Sequence, residues 1–138
     1  MLRFIKDHNK KGQYAENIAL KYLESQGLSI IQSNFSCKMG EIDLIMNDAD
    51  FLIFIEVRYR KKTKFGHPLE TITYTKQQKI IKTIQFFLMK HPKYHQFPCR
   101  IDAVAIYSNT VNKNNKAKNI TAEDLKIEWV KDAIQLGI

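Results

Sequence analysis

The stretch Gly40–Arg60, GEIDLIMNDADFLIFIEVRYR, decides how the rest of the chain is read. It predicts two β-strands, Glu41–Met46 and Phe51–Tyr59, around the polar turn Asn47-Asp48-Ala49-Asp50. In an antiparallel pair, opposed residues keep a constant number sum and share a face. A two-residue loop, Asp48-Ala49, makes that sum 97 and sets Glu41 across from Glu56. A four-residue loop, Asp48 to Phe51, makes it 99 and sets Asp43 across from Glu56. Either register gathers Glu41, Asp43, Glu56 and Arg58 on one face and turns Ile42, Leu44, Ile53, Ile55 and Val57 to the other. A three-residue loop would swap the faces, because a slip of one residue reverses every side chain.

Carboxylates held within a few ångströms repel one another unless a cation neutralises them. An all-oxygen cluster suits a hard divalent ion such as Mg²⁺, which keeps several waters and takes one or two protein carboxylates. The plainer alternative is a solvated polar face on an amphipathic hairpin. Three acids with Arg58 and Arg60 on one short hairpin weigh against that alternative without removing it.

Asp43, a turn, then Glu56-Val57-Arg58 resembles the D…(D/E)xK signature of restriction-endonuclease-like nucleases, with Arg58 where the signature ends in Lys. A longer ordered set is similar to the YraN family of small bacterial proteins, related to archaeal Holliday junction resolvases. The set is Gly12-x-x-Ala15-Glu16-x-x-Ala19, Tyr22-Leu23, Gly27-Leu28, Asn34-Phe35, Gly40 to Ile45, Phe54 to Arg60, Phe65-Gly66 and Arg100-x-Asp102. The resemblance spans residues 12–134. It implies a restriction-endonuclease-like three-layer α/β core, a mixed central β-sheet flanked by helices. It also implies Asp43 and Glu56 as ligands for Mg²⁺ or Mn²⁺, Glu16 as a further acid at the metal, Arg58 as a catalytic cation and Glu41 as a supporting residue. Read without the resemblance, Glu16 is a first-turn acid favoured by the helix dipole.

At 138 residues, 44% hydrophobic and 26% charged, the chain suits one globular domain with one core. Its two cysteines, Cys37 and Cys99, have no metal-ligand spacing and suit free thiols in a reducing compartment. No apolar run reaches membrane-span length, and the basic start MLRFIKDHNKKG lacks a signal peptide's apolar stretch, so a cytoplasmic protein without a membrane partner is expected. The net charge of +8 is uneven: Arg58 to Ile101 holds eleven Lys and Arg against one acid, Glu70. A basic segment beside an acidic cluster suits a polyanion held over a metal site, and by itself also suits an anionic membrane or solubility alone.

In chain order, residues 1–11 predict a basic arm and residues 12–138 the single domain. A helix is expected from Gly12 to Gln26, stopped by Gly27, then a strand over Leu28–Phe35. After the hairpin, Lys61–Leu69 is a basic loop whose His67 is read as a surface residue. A second helix is expected over Thr73–Lys90, burying Ile80, Ile81, Ile84, Phe87 and Leu88, with Phe86 among the lysines of its other side. Arg60, Lys61, Lys62, Lys64, Lys76, Gln77 and Lys79 are the expected nucleic-acid contacts, Lys76 and Gln77 because a helix start favours phosphate. His91 and His95 are read as loop residues. Cys99–Tyr107 predicts a strand on which Arg100 and Asp102 brace each other, Asn109–Asn119 a polar loop, and Lys126–Val130 an edge strand before a short helix near Asp132–Leu136.

These features point to a metal-dependent nuclease acting on DNA, branched DNA included. The alternatives are a nucleic-acid-binding module with a degenerate nuclease site, and an assembly factor whose basic surface meets an acidic partner. A homodimer stands open as the assembly state.

Overall fold

The computed structural model describes residues 2–61, 72–108 and 125–136, leaving aside the side chains of residues 2–11, 60, 61 and 108. The elements are α1 (Leu2–Ser25), β1 (Ser29–Cys37), β2 (Gly40–Asp48), β3 (Phe51–Lys61), α2 (Tyr74–Lys90), β4 (Cys99–Ser108) and β5 (Leu125–Ile134). The strands form one sheet in sequence order, antiparallel except for the β3–β4 pair, which is parallel and bridged by α2. A parallel pair needs such a crossover, because its second strand must restart at the same end of the sheet.

Two clusters make the three layers. Ala15, Ala19 and Leu23 of α1 pack on Leu44, Met46, Ile53, Ile55, Val104 and Ile106. Ile80, Ile81, Ile84 and Phe87 of α2 pack on the opposite set, Ile42, Ile45, Leu52, Phe54, Ile101 and Ile134. Phe87 is fully buried and meets Phe35 and Phe54 edge-on, with centroids 5.1 and 5.8 Å away. Central strands covered on both faces need near-continuous apolar runs, and Phe51–Ile55 supplies one. This is the α/β core with a mixed sheet and flanking helices that the sequence leads one to expect.

The hairpin register is the sum of 99: Asp48 pairs with Phe51 and Leu44 with Ile55. The strands run closer to the turn than expected, leaving only Ala49, at φ 53°, and Asp50 between them. Ile42 departs from the expected face and packs in the α2 cluster, whereas Leu44 packs in the α1 cluster. The change of face falls between Leu44 and Ile42, opposite Asn34 at φ 53°, while the pairing with β1 keeps its register there.

Helix ends follow ordinary chemistry. Gly27, at φ 100°, closes α1, and the Leu28 N–H returns to the Leu23 carbonyl at 3.1 Å. The Thr73 hydroxyl caps α2 by accepting from the Lys76 N–H at 3.2 Å. His91 and His95 bond the Phe87 and Leu88 carbonyls at the other end, 2.8 and 2.7 Å away, so both close a helix rather than a metal site. Phe86 packs against Phe35 of β1, with Lys90 above its ring. Cys37 and Cys99 are free thiols.

Two further expectations are corrected. α1 starts at Leu2 rather than at Gly12; no Pro or Gly interrupts the stretch before Gly12. The helix expected near Asp132–Leu136 is strand as far as Ile134. Asp132 takes φ 54° as a bulge, its N–H donates to Asp102 Oδ1 at 2.9 Å, and Ile134 is thereby buried against the α2 cluster. Of the loop expected over Lys61–Leu69, Lys61 is the last residue of β3 and the rest, His67 included, lies outside the described residues, as does the loop expected over Asn109–Asn119. Among the described residues, no helix is long and apolar enough to cross a membrane.

Candidate active site

The site is built where β2 and β3 cease to pair. Their ladder runs from the turn to Leu44↔Ile55, and one step further the same register brings Asp43 across from Glu56. There the Asp43 side chain replaces a strand: its Oδ2 accepts the Val57 N–H at 2.7 Å. The parting strands open a cleft of about 770 Å³ between the two helices. Glu16 reaches it from α1, Glu41 and Asp43 from β2, Glu56, Arg58 and Tyr59 from β3, and Thr75, Lys76 and Lys79 from α2.

Gly40 makes the α2 side of the cleft tight. A Cβ there would stand 3.0 Å from the Thr83 hydroxyl, and its φ of 153° lies in the region that favours glycine. Strand β2 therefore approaches α2 closely at the residue that leads into Glu41.

The acids are crowded and mostly desolvated. Burial raises the Asp43 carboxyl well above the ordinary aspartate range, and the charge of Glu56 pushes it further, against the opposing Val57 N–H bond. Hydrogen bonding towards the Glu56 side chain raises Asp43 as well. Burial also raises Glu16, with the charges of Glu41 and Glu56 adding to it; hydrogen bonds with Asp43 and Asn34 oppose the shift. The chain Glu56–Asp43–Glu16–Asn34 thus links three strands and a helix. Glu56 is 6% exposed, and its Oε2 is met by Lys76 Nζ at 2.8 Å and by Arg58 Nη1 at 3.6 Å.

Among the described residues, no three His, Cys, Asp or Glu side chains stand arranged as a complete metal-holding set. The Asp43–Glu56 pair nevertheless fits a hard divalent ion, which needs only one or two carboxylates and fills its shell with water. A buried Asp43 carboxyl beside the charge of Glu56 is the electrostatic condition such an ion relieves.

The cleft brings together Asp43, Glu56, Arg58, Glu16 and Glu41 from the sequence-based set, along with Lys76 and Lys79. Gln77 instead donates its side-chain amide to the Ile72 carbonyl at 3.0 Å, bracing the start of α2. The side chains of Arg60 and Lys61 and the whole of Lys62 and Lys64 lie outside the described residues. Sequence reasoning missed Asn34 as a partner of Glu16; its signal was an Asn inside a strand, a residue type that tolerates left-handed backbone. It also missed the Lys76–Glu56 pair, for which nothing in the spacing is a signal.

Relatives extend along the whole fold. A UPF0102 protein of Legionella pneumophila (strain Corby) is 41% identical over 93% of this chain and 97% of its own length. One from Coxiella burnetii (strain RSA 493 / Nine Mile phase I) is 43% identical over 92% of this chain and 93% of its own. Another from Stutzerimonas stutzeri (strain A1501) is 45% identical over 72% and 83%. The model of the uncharacterised protein family UPF0102 matches residues 15–106, which carry all the cleft acids. The chain belongs to that family, the YraN family its motifs resemble.

Proposed function

We propose that this chain is a metal-dependent endonuclease-like protein that hydrolyses phosphodiester bonds in DNA, branched DNA included. The observation that carries the reading is the convergence of Asp43, Glu56 and Glu16 in one cleft that Arg58, Lys76 and Lys79 also line. Acids that hold a cation, with fixed positive charge beside them, suit a phosphodiester anion. Asp43 and Glu56 would hold Mg²⁺ or Mn²⁺, with Glu16 and the Val57 carbonyl as further oxygen donors. Such an ion supplies a water of lowered pKa and neutralises charge on the scissile phosphate.

The chain's own residues orient and stabilise. The Val57 N–H and Glu16 fix the Asp43 carboxylate from two directions. Asn34 in turn fixes Glu16. Arg58 is 8% exposed beside Glu56 and offers a fixed charge to the phosphate as negative charge develops. A guanidinium does not release its proton at working pH, so Arg58 is no general base. Lys79 and the basic segment after Arg58 hold the DNA backbone without reading sequence.

Two observations favour a second reading, a nucleic-acid-binding module with a degenerate site. Arg58 stands where nuclease signatures have Lys, and an ammonium already sits on Glu56. The deciding experiment incubates single-stranded, duplex, flap and four-way DNA with the protein in Mg²⁺, Mn²⁺ or EDTA. Cleavage that needs the metal supports the nuclease. Binding of branched DNA with no cleavage in either metal supports the module.

A further inference from the structure

Glu56 is neutralised by two cations of different character. Arg58 lies on the same strand, and its side chain is 9% exposed. Lys76 arrives from the first turn of α2, and its side chain is 45% exposed although its Nζ reaches within 2.8 Å of Glu56 Oε2. The guanidinium is buried. The lysine is a flexible stem whose tip alone enters the site, so it can withdraw towards solvent without disturbing the core. A carboxylate as buried as Glu56 needs a positive neighbour whenever no metal is bound. A divalent ion and an ammonium compete for the same oxygen, and the doubly charged ion prevails at an oxygen pair.

We propose that Lys76 is a displaceable internal cation. Its ammonium holds the place beside Glu56 that a divalent ion takes, and it moves to the open mouth of the cleft when that ion enters. This rests on the metal-binding reading given above. It also gives Lys76 a second task. Once withdrawn, the ammonium faces a bound phosphate from α2 and supplies the lysine charge that the D…(D/E)xK pattern carries at the position of Arg58. The metal and the lysine are thereby linked: the charge that faces DNA is released only in the metal-loaded protein.

The test is calorimetric titration of Mn²⁺ into wild type, Lys76→Met and Lys79→Met. Competition removed by Lys76→Met tightens Mn²⁺ binding by about tenfold, the usual size of a coupling between two occupants of linked sites. Lys79→Met removes the same charge from the same cleft without touching Glu56 Oε2, and tightens it much less. Thermal melts without metal supply a second readout: Lys76→Met lowers the melting temperature by taking the nearer of its two cations from Glu56, and Mn²⁺ restores it. Equal Mn²⁺ affinity in wild type and Lys76→Met overturns the role of Lys76 while leaving the metal site intact. An equal gain in both lysine variants also overturns it, since the effect would then be general charge. Absence of Mn²⁺ binding in all three proteins overturns the metal-binding reading itself, and this proposal with it.

Discussion

Asp43 is a carboxyl crowded by a neighbouring acid and desolvated by burial. Burial first, and Glu56 second, hold its pKa above the ordinary value, so the folded chain keeps a proton that the unfolded chain gives up. The sign of the linkage follows. Stability from that proton is whole below about pH 4, the unfolded aspartate range, and is lost as pH rises through the raised folded value. Asp43→Asn carries no charge to bury and keeps an oxygen for the Val57 N–H. Without metal it is expected to melt above wild type near neutrality, with the gap closing towards about pH 4. Thermal melts across that range check this; a wild type that melts higher at neutrality would count against crowding at Asp43. Gly40→Ala is expected to cost about 1 kcal/mol or more, because its backbone would be strained and its methyl would press on the Thr83 hydroxyl. Urea unfolding measures that loss, and unchanged stability would remove the tight β2–α2 approach from the explanation.

Among the elements, β5 is tied to β4 by its ladder and by one buried carboxylate. Asp102, fully buried on β4, accepts from Arg100 Nε at 2.8 Å, from Trp129 Nε1 at 2.9 Å and from the Asp132 N–H at 2.9 Å. Asp102→Ala leaves a largely buried Arg100 without its counter-charge and should cost about 3–5 kcal/mol in urea unfolding. A loss under about 1 kcal/mol would show that β5 is held by its backbone ladder alone. Asp102 also shows where the sequence stops being legible. Its pairing with Arg100 follows from two-residue spacing on one strand, whereas Trp129 and Asp132 lie 27 and 30 residues away and carry no local signal. The same division holds elsewhere. Elements with a strong period and a chemical stop, such as α2 between Thr73 and His91, are readable almost to the residue. The hairpin register of 99 was one of two that parity allowed, and only tertiary packing chooses between them. The change of face between Leu44 and Ile42, opposite Asn34 at φ 53°, breaks the strict alternation on which strand reading depends. The strand through Asp132 was hidden for the same reason, because a bulge looks like an interruption in sequence.

For the whole molecule, the ordering of charge matters more than its sum. A net +8 is concentrated after Arg58, next to a cleft whose acids come from both sides of the sheet fork. DNA held through that basic segment is neutralised mainly at phosphate. Log affinity for branched DNA should therefore fall linearly with log salt, by roughly 10³-fold between 50 and 200 mM if six or more phosphates are engaged. Fluorescence anisotropy over that range tests it, and salt-independent affinity would argue for an uncharged or protein partner. With affinity assigned to the basic residues and chemistry to the acids, the two are expected to uncouple. The most direct measurement is single-turnover cleavage of four-way or flap DNA in Mn²⁺ by wild type and Asp43→Asn. Both proteins are expected to bind the DNA with similar affinity while the variant cleaves at least about 10²-fold more slowly, the size of effect expected for a group that acts on the reacting centre. Cleavage by Asp43→Asn at the wild-type rate would contradict a catalytic metal held between Asp43 and Glu56.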